Sequence, residues 1–522
     1  MNNYLGDNMS DPIQRIVIVG GGAAGWLTAA ILAKQFQSQT SAIKITLIES
    51  SDIPTVGVGE GTWPTMRNTL RKIGIDENTF FRQCNASFKQ GNQFIGWYDG
   101  KADDKYYHPF SAPQGHNKFD LSPFWIQGMQ QTKQDFASSV CFQPKLCDLN
   151  LAPKSITDKQ YQGQANYGYH LDAGKFAQLI KEHTINTLGV THVIDTVEQV
   201  KVDALGNIAL IELNRTASIS GDFFIDCTGF SSLLLGQALG VPFIKKSACL
   251  LADSALAVQL PYANNETPVA SHTQSIAQSC GWIWDIGLSN RRGVGYVYAS
   301  EYTTTAQAKQ TLADYIGVDS AQLNAKEITF TAGHREKFWH KNCVAIGLSA
   351  GFLEPLEASA LMLIEISADY VAQQLPGCKS LLPIVANRFN QDMTIRWQKI
   401  IEFLKLHYLL SKRDEPFWQA MRAASSTPES LLQQLKLWQY QPPHEYDFSS
   451  AVETFPAASY LYVLYGMHFK TDLSQRDHLL SQPQIAEKLF QLNEQARVQL
   501  SQRLPEHRAL LTKLQTHGFQ KI

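Results

Sequence analysis

The stretch Arg15-Ile16-Val17-Ile18-Val19-Gly20-Gly21-Gly22-Ala23-Ala24-Gly25 decides the fold. Four apolar residues predict a short strand, the glycines a tight turn, and Ala23 to Gln35 carries a helical pattern. Ile43 to Glu49 then reads as a second strand, which closes a βαβ unit on an acidic residue. A Gly-x-Gly-x-x-Gly alone is weak evidence. Between a strand and a helix, and followed by a strand ending in Glu49, it points to a dinucleotide site. Gly20, Gly22 and Gly25, with Ala23 and Ala24, let backbone approach a pyrophosphate whose charge the helix N-terminus stabilises. Glu49 can accept the ribose hydroxyls, and its charge disfavours a 2′-phosphate. The alternative is a glycine-rich turn that holds nothing.

Phe223 to Phe230 and Asn342 to Gly351 are further apolar strands running into turns, suited to completing a cofactor-binding sheet. Leu256 to Leu260 and Val294 to Ala299 suggest a second, more antiparallel sheet inserted between its halves. From about Ala358 the pattern becomes helical, over Ala360 to Gln374, Met393 to Leu409 and Ile485 to Leu504. The expected architecture is α/β: a Rossmann-like domain over 10–357 with an inserted mixed or antiparallel sheet, and a mainly helical substrate-binding subdomain over 358–522.

The 522 residues, 44% apolar and 18% charged, describe an ordinary globular protein with ample core. A net charge of -2 gives no basic field, so no nucleic-acid partner is expected. No apolar run is long enough for a bilayer, and the polar start lacks a signal-peptide pattern, so a cytoplasmic location without membrane contact is expected. The 8 cysteines are scattered without Cys-x-x-Cys spacing, read as reduced thiols, and no metal site is expected.

Several motifs together resemble the flavin-dependent tryptophan halogenases. They are GGGAAGW at Gly20 to Trp26, IPTVGVGEGTWP at Ile53 to Pro64, CNASFK at Cys84 to Lys89, DCTGF at Asp226 to Phe230, GWIWDI at Gly281 to Ile286 and FLEPLE at Phe352 to Glu357. The likeness runs from the first strand to about Gly466. It implies an FAD-binding domain of the aromatic-hydroxylase type and a two-component reaction. A separate flavin reductase supplies FADH2, which reacts with O2. A halide ion, bromide or chloride, is oxidised to hypohalous acid. That acid travels to a lysine beside a small aromatic substrate.

The resemblance assigns Lys89 to holding the oxidant, by hydrogen bonding or as a haloamine. Apolar neighbours Phe88 and Ala86 would lower its pKa by desolvation. A surface lysine with a buried stem is the bland alternative. Glu357 matches the second active-site residue, able to polarise the oxidant or take the ring proton, or simply to complement a helix dipole. Glu354 reads as structural. Halide is expected on the backbone N–H groups of Ser359 and Ala360, although Ala358-Ser359-Ala360 replaces the usual Ser-Thr-Gly. Trp282 and Trp284 would keep arenes off the flavin, or are core aromatics on alternate strand positions. Gly287 stands where the pattern usually ends in proline. Ile53 to Pro64 resembles a mobile strap over FAD, and Val58, Gly59 and Glu60 of that strap, with Leu348, complete the expected cofactor contacts.

The substrate end departs most from the pattern. His108 and Phe110 match the family's pocket residues. The Phe-Trp-Asn-Asn run that grips an amino acid is replaced by Thr454-Phe455-Pro456-Ala457-Ala458-Ser459. Phe455 can still stack, but the amides that would hold a zwitterion are gone, which points to indole or another electron-rich arene. The rival readings are an FAD-dependent aromatic hydroxylase and a non-catalytic flavoprotein. Oligomeric state stays open, a homodimer included.

Overall fold

The computed structural model of the protein describes residues 11–37, 43–52, 59–130, 134–448 and 452–520. At its centre lies β1 (Arg15–Val19), whose Ile16 to Val19 are at most 3% exposed because neighbours cover both faces. β1 pairs in parallel with β2 (Lys44–Glu49) on one side and with Phe223–Asp226 on the other. Cys343–Ala345 extends the parallel run, Trp339–His340 turns back along it, and Thr191–Ile194 forms the far edge of this six-stranded sheet. The two late strand-and-turn segments therefore complete the cofactor sheet, as their sequence suggests.

Helix α1 (Ala23–Phe36) connects β1 to β2 and packs so closely that side chains are excluded at the turn. A Cβ on Gly20 would sit 2.1 Å from the Cys227 carbonyl oxygen, and one on Gly25 would sit 1.8 Å from that of Gly20. Gly20 also has φ +114°, a conformation that favours glycine.

A small sheet carries β3 (Gly59–Gly61), the strand Gly168–Asp172 and β4 (Ser87–Lys89), in that order. The inserted sheet has seven strands and includes β5 (Gly91–Ile95) and β6 (Lys105–Pro109) at one end. Its neighbours are antiparallel apart from the parallel pairing of β5 with Thr273–Gln278. The helix Ser359–Gln374 packs on α1. The pattern read over Met393 to Leu409 belongs to a longer helix, Leu382–Leu409, whose start is marked by Pro383 in its first turn. Among the described residues no helix is long and apolar enough to cross a membrane. Ile53 to Val58, the first half of the expected strap, lies outside the described residues.

The chain's last helix, His507–Thr516, returns to the strand that bears Lys89. β4 is an edge strand, so the Phe88 N–H has no strand to pair with, and a buried unpaired N–H is costly. The His507 ring supplies the acceptor: Nε2 takes the Phe88 N–H at 3.0 Å while Nδ1–H donates to the Val269 carbonyl at 3.0 Å. Phe519 adds an edge contact to Phe88, ring centres 6.3 Å apart. Burial lowers the His507 pKa to about 3, which keeps Nε2 an acceptor. Because the unfolded ring binds a proton near pH 6.5, its contribution to stability is complete above that value and falls as pH drops toward 3. Replacing His507 by alanine should cost about 1–3 kcal/mol by orphaning the N–H. His507→Gln, which keeps an acceptor at the same reach, should recover part of it. Urea unfolding at pH 7 and pH 5 measures both effects; an alanine variant as stable as the parent would contradict the assignment.

Candidate active site

One cavity of about 460 Å³ runs from the glycine turn to the catalytic lysine candidate. Gly20, Gly22, Ala23, Ala24, Glu49, Gly59, Glu60 and Leu348 all line it, whereas Gly25 stands behind them as a packing residue. Val58 lies outside the described residues. A Cβ built on Gly22 meets nothing within 4 Å, so that position is open toward the cavity and its glycine is not demanded by the protein's own packing. The first turn of α1 has no side-chain cap, leaving donors for an anionic group. Those features fit the pyrophosphate of FAD. Glu49 is more engaged than its sequence context suggests: Oε2 accepts from Lys181 Nζ at 2.7 Å and from His192 Nε2 at 2.9 Å. Burial pushes the Glu60 carboxyl up to about 7.

Of the paired tryptophans only Trp284 lines this cavity, its ring lying over Gly295, where a Cβ would approach to 2.1 Å. Trp282 is turned into the core, where Nε1 donates to Glu354 Oε2 at 2.8 Å. Tyr408 donates to the same oxygen at 2.7 Å. Glu354 thus ties the Trp-x-Trp strand to the helix Leu382–Leu409, in keeping with a structural role. The two-tryptophan barrier expected beside the flavin reduces to one ring.

At the inner end stands Lys89. Its Nζ is fully buried, has no hydrogen-bond partner among the described residues, and lies 5.3 Å from the centre of the Phe110 ring. Burial lowers its pKa to about 8, with the Glu357 charge partly offsetting the shift. Phe88 is not the desolvating neighbour, because adjacent strand residues point to opposite faces. Its ring packs instead against Phe81 and Tyr167, at 4.7 Å and 5.0 Å between centres. Gly61 keeps the space over Lys89 clear: a Cβ there would lie 3.2 Å from Nζ.

Glu357 is the hub of the site. Oε1 faces His108 Nδ1 at 2.9 Å and His407 Nε2 at 3.1 Å, and Oε2 accepts from Asn92 Nδ2. Burial alone would raise its pKa; the charge and hydrogen bond of His108, with those of His407, outweigh burial and hold it at about 2. His407 Nδ1 faces the Phe403 carbonyl at 2.9 Å, so both its ring nitrogens face acceptors. A carboxylate held this low is a weak base, sufficient for the very acidic proton of a halogenated ring cation.

Beyond Glu357, Ala358 adopts φ +54° and sends the chain into the helix Ser359–Gln374 without a side-chain cap. The Ser359 and Ala360 backbone N–H groups thus open a helix N-terminus, and both residues line the cavity. At the substrate end, His108 Nε2 meets Ser459 Oγ at 2.9 Å. Phe110 is half-buried. Phe455 is only 1% exposed, stacked on Phe403 with centres 3.8 Å apart and edge-on to Trp63 at 5.0 Å, and it does not open on the flavin cavity. Trp63 in turn donates through Nε1 to the Glu357 carbonyl at 2.7 Å.

Sequence reasoning missed Asn92, His407 and His507. Asn92 left a trace, a polar residue in a short strand beginning two residues after Lys89. His407 and His507 left none, since only tertiary packing brings them to Glu357 and Phe88.

The tryptophan halogenase family model matches residues 15–481. A tryptophan halogenase structure from Shewanella frigidimarina superposes with a TM-score of 0.94, at 48% identity, covering 98% of this chain and 100% of that one. Tryptophan 6-halogenase SttH of Streptomyces toxytricini is 33% identical over 87% of this chain and 89% of its own length. Tryptophan 7-halogenase RebH of Lentzea aerocolonigenes is 34% identical over 81% and 82%. The chain belongs to the tryptophan halogenase family and is a flavin-dependent halogenase, an oxidoreductase that uses reduced FAD from a separate reductase, and halide, to halogenate an aromatic compound.

Proposed function

We propose that this enzyme halogenates an uncharged, indole-like arene in preference to free tryptophan, with Lys89 presenting the oxidant and Glu357 receiving the ring proton. The observation that carries the reading is Lys89 Nζ, buried and unpartnered at the inner end of the cavity that the glycine turn opens. FAD would be held along Gly20, Gly22, Ala23, Ala24 and Glu49, with Gly59, Glu60 and Leu348 beside it and Gly25 packing behind the turn. When bound in its reduced form, it would activate O2, which supplies the oxidising equivalents that turn halide into hypohalous acid. The halide sits on the N–H groups of Ser359 and Ala360. Residues 10–357 form the cofactor half and 358–522 the substrate half. The enzyme works in the cytoplasm, and a homodimer is compatible with this reading.

His108, Phe110 and Phe455 frame the arene. Support for an uncharged substrate comes from what replaces the zwitterion grip. Pro456 offers no side-chain polar group, Ser459 is engaged by His108, and Phe455 is covered by Phe403. His444 and Tyr446, just upstream, pair with each other, and Tyr446 is 89% exposed. A carboxylate and an ammonium buried without partners each cost several kcal/mol. The relatives whose names specify tryptophan set the contrary expectation, so the substrate is open to direct test.

With bromide, O2 and externally supplied reduced FAD, Lys89→Ala should lose halogenation by at least about 1,000-fold while oxidation of reduced flavin continues, because only delivery of the oxidant fails. Unchanged product and regioselectivity in that variant would show that free hypohalous acid is the agent.

Equal concentrations of indole and tryptophan, assayed in competition by mass spectrometry, should give chiefly haloindole. Bromide should outperform chloride because it is the more easily oxidised halide. A clear excess of halotryptophan would overturn the substrate assignment.

A further inference from the structure

Asn92 carries a role that neither motif nor family position assigns. It stands on β5 and lines the cavity beside Lys89 and Thr273. Its side chain is 1% exposed. The carboxylate Glu357 Oε2 can only accept, so the amide must turn Nδ2 toward it, and this fixes Oδ1 on the other side. Among the described residues that Oδ1 has no partner, and neither has Lys89 Nζ. A buried acceptor and a buried donor that line the same cavity suit a small molecule that both donates and accepts.

We propose that Asn92 is a further catalytic residue, holding hypohalous acid jointly with Lys89. The inference rests on the halogenase reading. The O–H of the acid donates to Asn92 Oδ1, and Lys89 Nζ donates to the oxygen of the acid, so the halogen is the end left for the arene. The aromatic carbon then attacks the halogen. The C–X bond forms with two ring electrons, the O–X bond breaks, and the departing oxygen takes a proton from Lys89 to leave as water. The ring proton passes to the Glu357–His407 pair and restores the charge on Lys89. The sum is ArH + HOX → ArX + H2O. Lys89 polarises the O–X bond; Asn92 retains and orients the acid, and through Nδ2 it keeps Glu357 facing the same space.

Two arms test this on the full chain with Asn92→Leu and, as a smaller replacement, Asn92→Ser. In the first, reduced FAD, O2 and bromide are supplied with indole and an excess of monochlorodimedone as an external trap. Both variants should oxidise reduced flavin at the parent rate, yet product per flavin oxidised should fall about tenfold and trapped bromine should rise to match. In the second, hypochlorous acid is added directly to the flavin-free protein with indole and the same trap, and haloindole is quantified by mass spectrometry. The parent should direct about tenfold more chlorine to indole, relative to the trap, than either variant. Parent-like coupling and a parent-like split between indole and trap would overturn the role of Asn92. Failure of the parent itself to halogenate any arene would sink the halogenase reading instead, while the direct-addition arm would still report on Asn92.

Discussion

A lysine amine buried without a partner is the constraint on which the rest of this structure depends. Leaving a cation in such a place costs several kcal/mol, and the lowered pKa of Lys89 expresses that cost. Phe110 faces the amine, Gly61 leaves it room, and the strand behind it is fastened by a histidine from the far end of the chain. A surface lysine at the same sequence position would be fully charged and hydrated, and of little use for presenting an oxidant.

Glu357 balances this arrangement. Among the described residues Glu357 takes its hydrogen bonds from His108, His407 and Asn92 and none from Lys89. It therefore acts at a distance, raising the lysine's affinity for a proton without forming the ion pair that would quench it. The same saturation makes it a poor general base at neutral pH. Its chemistry is confined to the one proton in the reaction acidic enough to need no strong base, the proton of the halogenated ring.

Much of this was legible in the sequence where function is carried by local backbone geometry. The turn at Gly20 to Gly25 announces itself because only glycine survives approaches of about 2 Å, as at Gly20 and Gly25. Lys89 and Glu357 lie in recognisable motifs. The inserted sheet followed from alternating strand patterns. What stayed hidden depends on side-chain direction and long-range packing. Trp282 and Trp284 share a motif, yet one faces Glu354 and the other the cavity. Phe88 sits next to Lys89 and points the other way. His407 is one residue of a 28-residue helix, and its function is set by a carboxylate 50 positions away.

The central claim is that Lys89 is poised between ammonium and amine near physiological pH. Protein labelled with 15N at lysine Nζ, titrated by heteronuclear NMR and assigned with Lys89→Arg, measures this directly. The account predicts a midpoint near 8, against the ordinary 10.5, and a still lower one in Glu357→Gln, where the offsetting charge is gone. A midpoint at the ordinary value, or one indifferent to Glu357, would contradict it.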